Sequence, residues 1–281
     1  MVTIQNERIL VEISERGAEI QRIVVDGVDF LWGGDPAYWA GRAPIMFPIC
    51  GGLKEDKYVY GGKEYTLNKH GYARFETFTV ENAEAQTATF LLCSNEESRK
   101  QYPFDYELRV MFALDADQLN ITYRVDNKTD GEMYVAFGAH EAYACPEGIQ
   151  DYDVIFDEKE TIDAYELDGN LLTSKAIPIL KDETTLALNY DYFAVDALVF
   201  KDVKSDKVTL RNRKTGRQVT LLFPDFDYFL LWTKPGAGYI CMEPWTGLQD
   251  LVESDFELAH KTGMQRLEKA GSLTRVHTMK F

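Results

Sequence analysis

Glu243, His140, His70 and Asp196 are the side chains of this sequence best placed to move protons or grip an uncharged polar substrate. In Gly238-Tyr239-Ile240-Cys241-Met242-Glu243-Pro244-Trp245-Thr246-Gly247, a short apolar run reads as a buried strand that ends on an acid, a proline and an indole. Pro244 has no N–H to continue a ladder, which predicts Glu243 at or near the last residue of the strand. A carboxyl held between apolar backbone and Trp245 is partly desolvated; its pKa rises and its ionised form becomes a better base. A structural Glu satisfied by backbone N–H groups or an arginine fits the same stretch, so both roles stand at this point.

Two histidines sit where β runs end. Asn68-Lys69-His70-Gly71-Tyr72-Ala73-Arg74 lies between a predicted hairpin and the strand Phe75 to Val80. The glycine there lets a ligand approach the imidazole without Cβ crowding, although a merely solvated His also suits such a loop. His140, in Gly138-Ala139-His140-Glu141-Ala142-Tyr143, closes a second run from Met133. An imidazole titrates near neutral pH and a desolvated Glu can be tuned toward it, which together suit general acid–base catalysis. The four cysteines, Cys50, Cys93, Cys145 and Cys241, form no CxxC pair and have no metal-ligand spacing, so they are expected to be reduced core residues with no metal. His260 and His277 match no motif and are expected on the surface.

Composition narrows the partners. A formal net charge of −16 argues against nucleic acid and anionic membrane surfaces, both of which are bound through basic patches. A hydrophobic content of 45% supports an ordinary globular core. The first eight residues lack the basic start and apolar core of a signal peptide, and no apolar run approaches a membrane span, which leads us to expect a cytoplasmic protein.

The elements that must position these groups read as strands. Arg8 to Ile13 alternates; Ile20–Val25 and Val28–Trp32 flank the turn pair Asp26-Gly27; Tyr58–Tyr60 and Lys63–Leu67 flank Gly61-Gly62. Thr87–Cys93, Tyr106–Leu114 and Leu119–Val125 form a meander with one buried face, and Ala197–Phe200, Lys207–Asn212, Gln218–Phe223 and Tyr228–Trp232 resume the pattern. Ser94-Asn95-Glu96-Glu97 has the form of a capping box and predicts one short helix before Pro103. Residues 157–187 are polar and mixed, and read as long loops with short strands. With no linker, repeat or βαβ alternation, the expected fold is all-β: one large antiparallel β-sandwich over residues 1–281. Phosphate loops and GxSxG elbows are absent.

Four motifs in order, Arg42-Ala43-Pro44-Ile45-Met46-Phe47-Pro48-Ile49, His70-Gly71-Tyr72-Ala73-Arg74, Gly138-Ala139-His140 and Glu243-Pro244-Trp245-Thr246-Gly247, resemble the aldose 1-epimerase (galactose mutarotase-like) superfamily, in particular its LacX-like branch. The resemblance implies a β-supersandwich that interconverts the α and β anomers of a free aldose without a cofactor. It implies Glu243 as the base at the anomeric hydroxyl, His140 as the acid at the ring oxygen, His70 as a sugar ligand and, more loosely, Asp196 as a grip on sugar hydroxyls. Arg42, Arg74, Trp39 and Trp245 are the further candidates for contact with the sugar, and a monomer or homodimer is expected. An indole face packs well on the C–H face of a pyranose, and each Trp also suits a core. Two departures from the family pattern stand out: Gly52 where many relatives carry an arginine, and Glu141 after the second histidine, able to support a protonated His140 or to face solvent. A hexose-6-phosphate mutarotase and a sugar-binding or regulatory protein on the same fold are the alternatives; two or more Arg or Lys over the pocket would favour the first.

Overall fold

The computed structural model describes all 281 residues. Its largest sheet is antiparallel throughout. Along its main path it runs Glu141–Ala144, Tyr239–Trp245, Tyr228–Trp232, Leu198–Phe200, Tyr152–Asp168, Lys207–Asn212, Gln218–Leu222, Ser272–Lys280, Gln118–Asn127, Tyr106–Asp115, Thr87–Cys93 and Thr79–Ala83. A four-stranded antiparallel sheet, Val2–Gln5, Ile9–Ile13, Ile20–Val25 and Val28–Asp29, packs its apolar face into the same core, and one contiguous apolar cluster runs from Ile4 to Met279. This is the all-β architecture expected from the alternation.

The alternation works as it should where both neighbours are regular. Leu119, Ile121, Tyr123 and Val125 pair with Leu114, Phe112, Val110 and Leu108 and all eight are buried, while the residues between them are not. Each such buried aromatic or aliphatic side chain contributes about 1.5–3 kcal/mol of transfer free energy. Turn chemistry also holds: Asp26 and Gly27 take φ of 50° and 82°, and Gly61 and Gly62 take 59° and 75°.

Several expectations fail for identifiable reasons. Residues 157–187 belong to two 17-residue strands, Tyr152–Asp168 and Leu171–Ala187, closed by the Gly169-Asn170 turn. Repeated register shifts break their period of two, and the second strand is an exposed edge that tolerates Pro178, so neither reads as a strand locally. The helix is Glu96–Gln101, capped by Asn95 and Ser98 rather than by Ser94 and Glu97, because Ser94 Oγ instead donates to Asp105. The run from Met133 forms a regular strand only over Met133–Val135 and continues as isolated bridges from Gly138 to Met46 and Trp245, and Cys93 is exposed.

Pro244 does not end its strand, which continues to Trp245. The Pro244 carbonyl accepts from Ala139, so its ring nitrogen faces the same side, where the partner strand Glu141–Ala144 has already stopped and no donor is needed. His277 lies in the interior rather than at the surface, with Nε2 3.0 Å from Glu141 Oε1 and both side chains out of water. His260 is exposed, beside Asp255.

The Glu141–His277 pair ties the strand that follows His140 to the C-terminal strand, far from either in sequence. Removing one partner strands the other in an apolar setting, at a cost of about 3 kcal/mol. Glu141→Leu and His277→Leu should each lower the unfolding free energy from urea titration by that order, while the double variant loses less than the sum. Additive losses in that cycle would show that the two side chains do not act as a pair.

Candidate active site

The site is built on Tyr239–Trp245, a strand buried along its whole length between Glu141–Ala144 and Tyr228–Trp232. Its β-branched and aromatic residues suit a central strand, and period two sends Cys241 and Glu243 to one face. Glu243 is 1% exposed. Burial drives its carboxyl well above the ordinary value, with Lys69 and the Trp245 indole N–H, which donates to Oε2 at 3.2 Å, only partly opposing this.

His140 immediately precedes the strand Glu141–Ala144 and sets Nε2 3.5 Å from Glu243 Oε2. Trp39 stacks on the imidazole at 5.0 Å, and Trp232 meets it edge-on at 5.5 Å. Desolvation within this aromatic wall brings the His140 pKa down to about 3. Trp39 is itself held by the Trp32 indole, which donates to its carbonyl at 2.8 Å.

His70 reaches the same place through a backbone knot. Its φ is 66° and that of Gly71 is 68°; a Cβ at residue 71 would lie 2.1 Å from the Phe47 carbonyl oxygen, so only glycine fits. The Gly51 amide donates to His70 Nδ1 at 3.1 Å, and the His70 amide donates back to the Gly51 carbonyl. Nδ1 is therefore an acceptor, and the ring proton sits on Nε2 as a donor for the cleft. Burial, helped by nearby His140, holds His70 well below its ordinary pKa and hence neutral. The His70 ring centre lies 5.7 Å from that of His140 and 5.5 Å from the Trp245 ring.

These groups line an open cleft of about 310 Å³, large enough for one monosaccharide. Asp196, Arg74, Trp39 and Trp245 line it as well. Arg42 does not: its Nη1 donates to the Gln21 carbonyl at 2.6 Å and its amide to Glu19, so it braces the N-terminal sheet instead. Glu141 points away from His140, toward His277. At Gly52 a Cβ would meet Asn170 at 2.9 Å, so the tip of the long hairpin fills the space a side chain there would need.

Lys69, Asn170, Lys234 and Gln249 also line the cleft. Lys69 adjoins His70 and was within reach of a motif reading. Asn170 and Gln249 arrive from a hairpin tip and a loop with no local signal. Lys69 Nζ donates to Asn170 Oδ1 at 3.2 Å, and Arg74 Nη2 to the Lys69 carbonyl at 2.9 Å; neither is neutralised by a carboxylate.

Burying this pair lowers stability on both sides. Above pH 4.5 the unfolded chain releases a proton that folded Glu243 retains, so stability falls as pH rises toward the folded value. Below pH 6.5 the unfolded chain binds a proton that His140 does not take up until about pH 3, so stability falls as pH drops through that window. Glu243→Gln removes the first loss. It should raise the urea midpoint at pH 8 and change it far less at pH 4; equal midpoints at both would contradict a carboxyl held up by burial.

The family profile described as aldose 1-epimerase matches residues 1–264. The plasmid-borne protein LacX of Lactococcus lactis subsp. lactis is 34% identical over 267 residues, covering 90% of this chain and 89% of that one. The structure is similar to a galactose mutarotase related enzyme from Lactobacillus acidophilus, with TM-score 0.94, 35% identity, and 99% and 96% of the two chains covered. It is also similar to a galactose mutarotase-like protein from Lactobacillus casei, with TM-score 0.94, 28% identity, and 100% and 99% covered. With the profile matched along nearly the whole length, the chain belongs to the aldose 1-epimerase family, a sugar-directed, isomerase kind of enzyme.

Proposed function

We propose that this protein is a mutarotase in which Glu243 and His140 open and close the hemiacetal of an aldose. The observation that carries this reading is the 3.5 Å approach of a buried carboxyl to a buried imidazole at the floor of a sugar-sized cleft. Glu243 takes the proton from the O1 hydroxyl, C1–O1 becomes a carbonyl, the C1–O5 bond breaks and His140 protonates O5. Rotation about C1–C2 presents the other carbonyl face. His140 then takes the proton back from O5, O5 attacks C1, and Glu243 returns its proton to O1.

One proton is shared by the pair throughout. Closed sugar faces ionised Glu243 and protonated His140; open sugar faces neutral Glu243 and neutral His140. The raised carboxyl and lowered imidazole favour the second state, so the shared proton passes from Glu243 to His140 across the 3.5 Å gap before the ring opens, and ring opening returns the pair to its resting form. His70 Nε2–H is available as a donor to sugar oxygens, and Asp196 as an acceptor for sugar hydroxyls.

A second reading, an aldose carrying a phosphate or other anionic group, is favoured by Lys69, Arg74 and Lys234. In a chain with 46 acidic and 30 basic residues, three cations lining one cleft make it locally attractive to an anion.

Polarimetry of freshly dissolved α-glucose, α-galactose and α-glucose 6-phosphate distinguishes these readings. Wild type should accelerate mutarotation of at least one sugar, and Glu243→Gln and His140→Gln should each lose about 10²–10⁴-fold in kcat. If the anionic reading holds, Lys234→Ala should weaken the phosphorylated sugar about tenfold and leave the free one nearly unchanged. Saturable binding without acceleration of any sugar would identify a carbohydrate-binding protein instead. The acid limb of kcat/KM should fall well below pH 6, because His140 takes a second proton onto the pair only near pH 3.

A further inference from the structure

Cys241 is a buried side chain next to Glu243 and His140 that the proton-transfer scheme leaves unused. It is buried beside Tyr239 in a small cluster against which Trp39 and Trp232 pack, two residues before Glu243 and on the same face of the strand. Its thiol, His140 and Glu243 each offer a ligand atom, and these lie within 4.8 Å of one another. No spacing in the sequence brings a cysteine to a histidine; the pairing of Glu141–Ala144 with Tyr239–Trp245, Ala142 opposite Cys241, does so.

We propose that this triad is an inhibitory binding site for a thiophilic divalent cation, zinc being the type, at the base of the sugar cleft. One sulfur, one imidazole nitrogen and one carboxylate oxygen, with a fourth position open to the cleft, is a donor set that zinc accepts. Tetrahedral coordination needs ligand atoms about 3.3–3.5 Å apart. His140 Nε2 and Glu243 Oε2 already stand at 3.5 Å, and the sulfur, within 4.8 Å of both, closes the set with a shift of roughly 1.5 Å at most. The Trp245 N–H donates to Glu243 Oε2 at 3.2 Å and so orients the carboxylate, as supporting hydrogen bonds do at metal sites. On binding, the Cys241 S–H proton and the proton shared by Glu243 and His140 both leave to solvent as the bonds to the metal form; no electron transfer is involved. The ion would take up the base and the acid lone pairs together and occupy the place of O1 and O5. It is therefore competitive with sugar.

The inhibitory part of this inference rests on the acid–base reading; the binding part does not. The test uses reduced, metal-free protein carrying Cys93→Ser, which removes the one exposed thiol as a source of adventitious binding. Titration with Co²⁺ should saturate at one equivalent and produce a thiolate-to-cobalt charge-transfer band in the near ultraviolet. Cys241→Ala in the same background should abolish that band and weaken Co²⁺ and Zn²⁺ binding at least about tenfold, with metal-free mutarotation changed by no more than about twofold. Cys241→Ser, close to isosteric, gives the same readout should the alanine cavity unfold the chain. Absence of the band, or its persistence without Cys241, overturns the site. A Cys241-dependent band with mutarotation untouched by zinc would leave the site standing and remove His140 and Glu243 as the acid–base pair.

Discussion

A carboxyl and an imidazole shut away from water, 3.5 Å apart, set the terms for the rest of this molecule. Each is held away from its ordinary pKa in the direction that neutralises it, and each lowers stability in its own pH window. Such an arrangement persists only inside a framework stiff enough to prevent its relaxation. The framework here is a strand buried along its full length, flanked on both sides by antiparallel partners and walled by the indoles of Trp39, Trp232 and Trp245.

The supports are themselves polar and buried, and they come from distant parts of the chain. Glu141 leaves the strand on the face away from the cleft and meets His277, so the segment carrying His140 is pinned from behind. His70 is held by reciprocal bonds to Gly51, itself packed so closely on Gln249 that a Cβ would lie 2.4 Å from that side chain. Asp250, next along, accepts from the buried Lys261 ammonium at 3.1 Å and from the Lys54 amide. The loops around the cleft are thus joined by hydrogen bonds and ion pairs, as a surface of irregular backbone must be.

Charge is distributed with a similar economy. The exterior is acidic, yet Lys69, Arg74 and Lys234 gather at the cleft. Lys69 lies near enough to Glu243 to oppose part of the upward shift that burial imposes on its carboxyl. The hairpin tip at Asn170 closes this side of the cleft and fills the space over Gly52.

The amino-acid sequence by itself determined the class of fold, the turns and the chemical character of the centre. Period-two alternation and positive-φ turn pairs are local properties, and an acid or an imidazole at the end of an apolar run is visible wherever it occurs. Glu243, His140, His70 and Asp196 could be singled out for that reason. Only the tertiary structure decided which neighbours each group has. Arg42 carries as suggestive a motif as Arg74, but packing turns it to Gln21. Glu141 adjoins His140 in the chain and opposes it across the strand, because successive side chains on a β-strand alternate faces. His277 and Cys241 have no local pattern at all; packing across the core brings the C-terminal strand's His277 against Glu141, and pairing of Glu141–Ala144 with Tyr239–Trp245 sets Cys241 beside His140. Local sequence encodes what a residue can do, whereas long-range register fixes what it does it to.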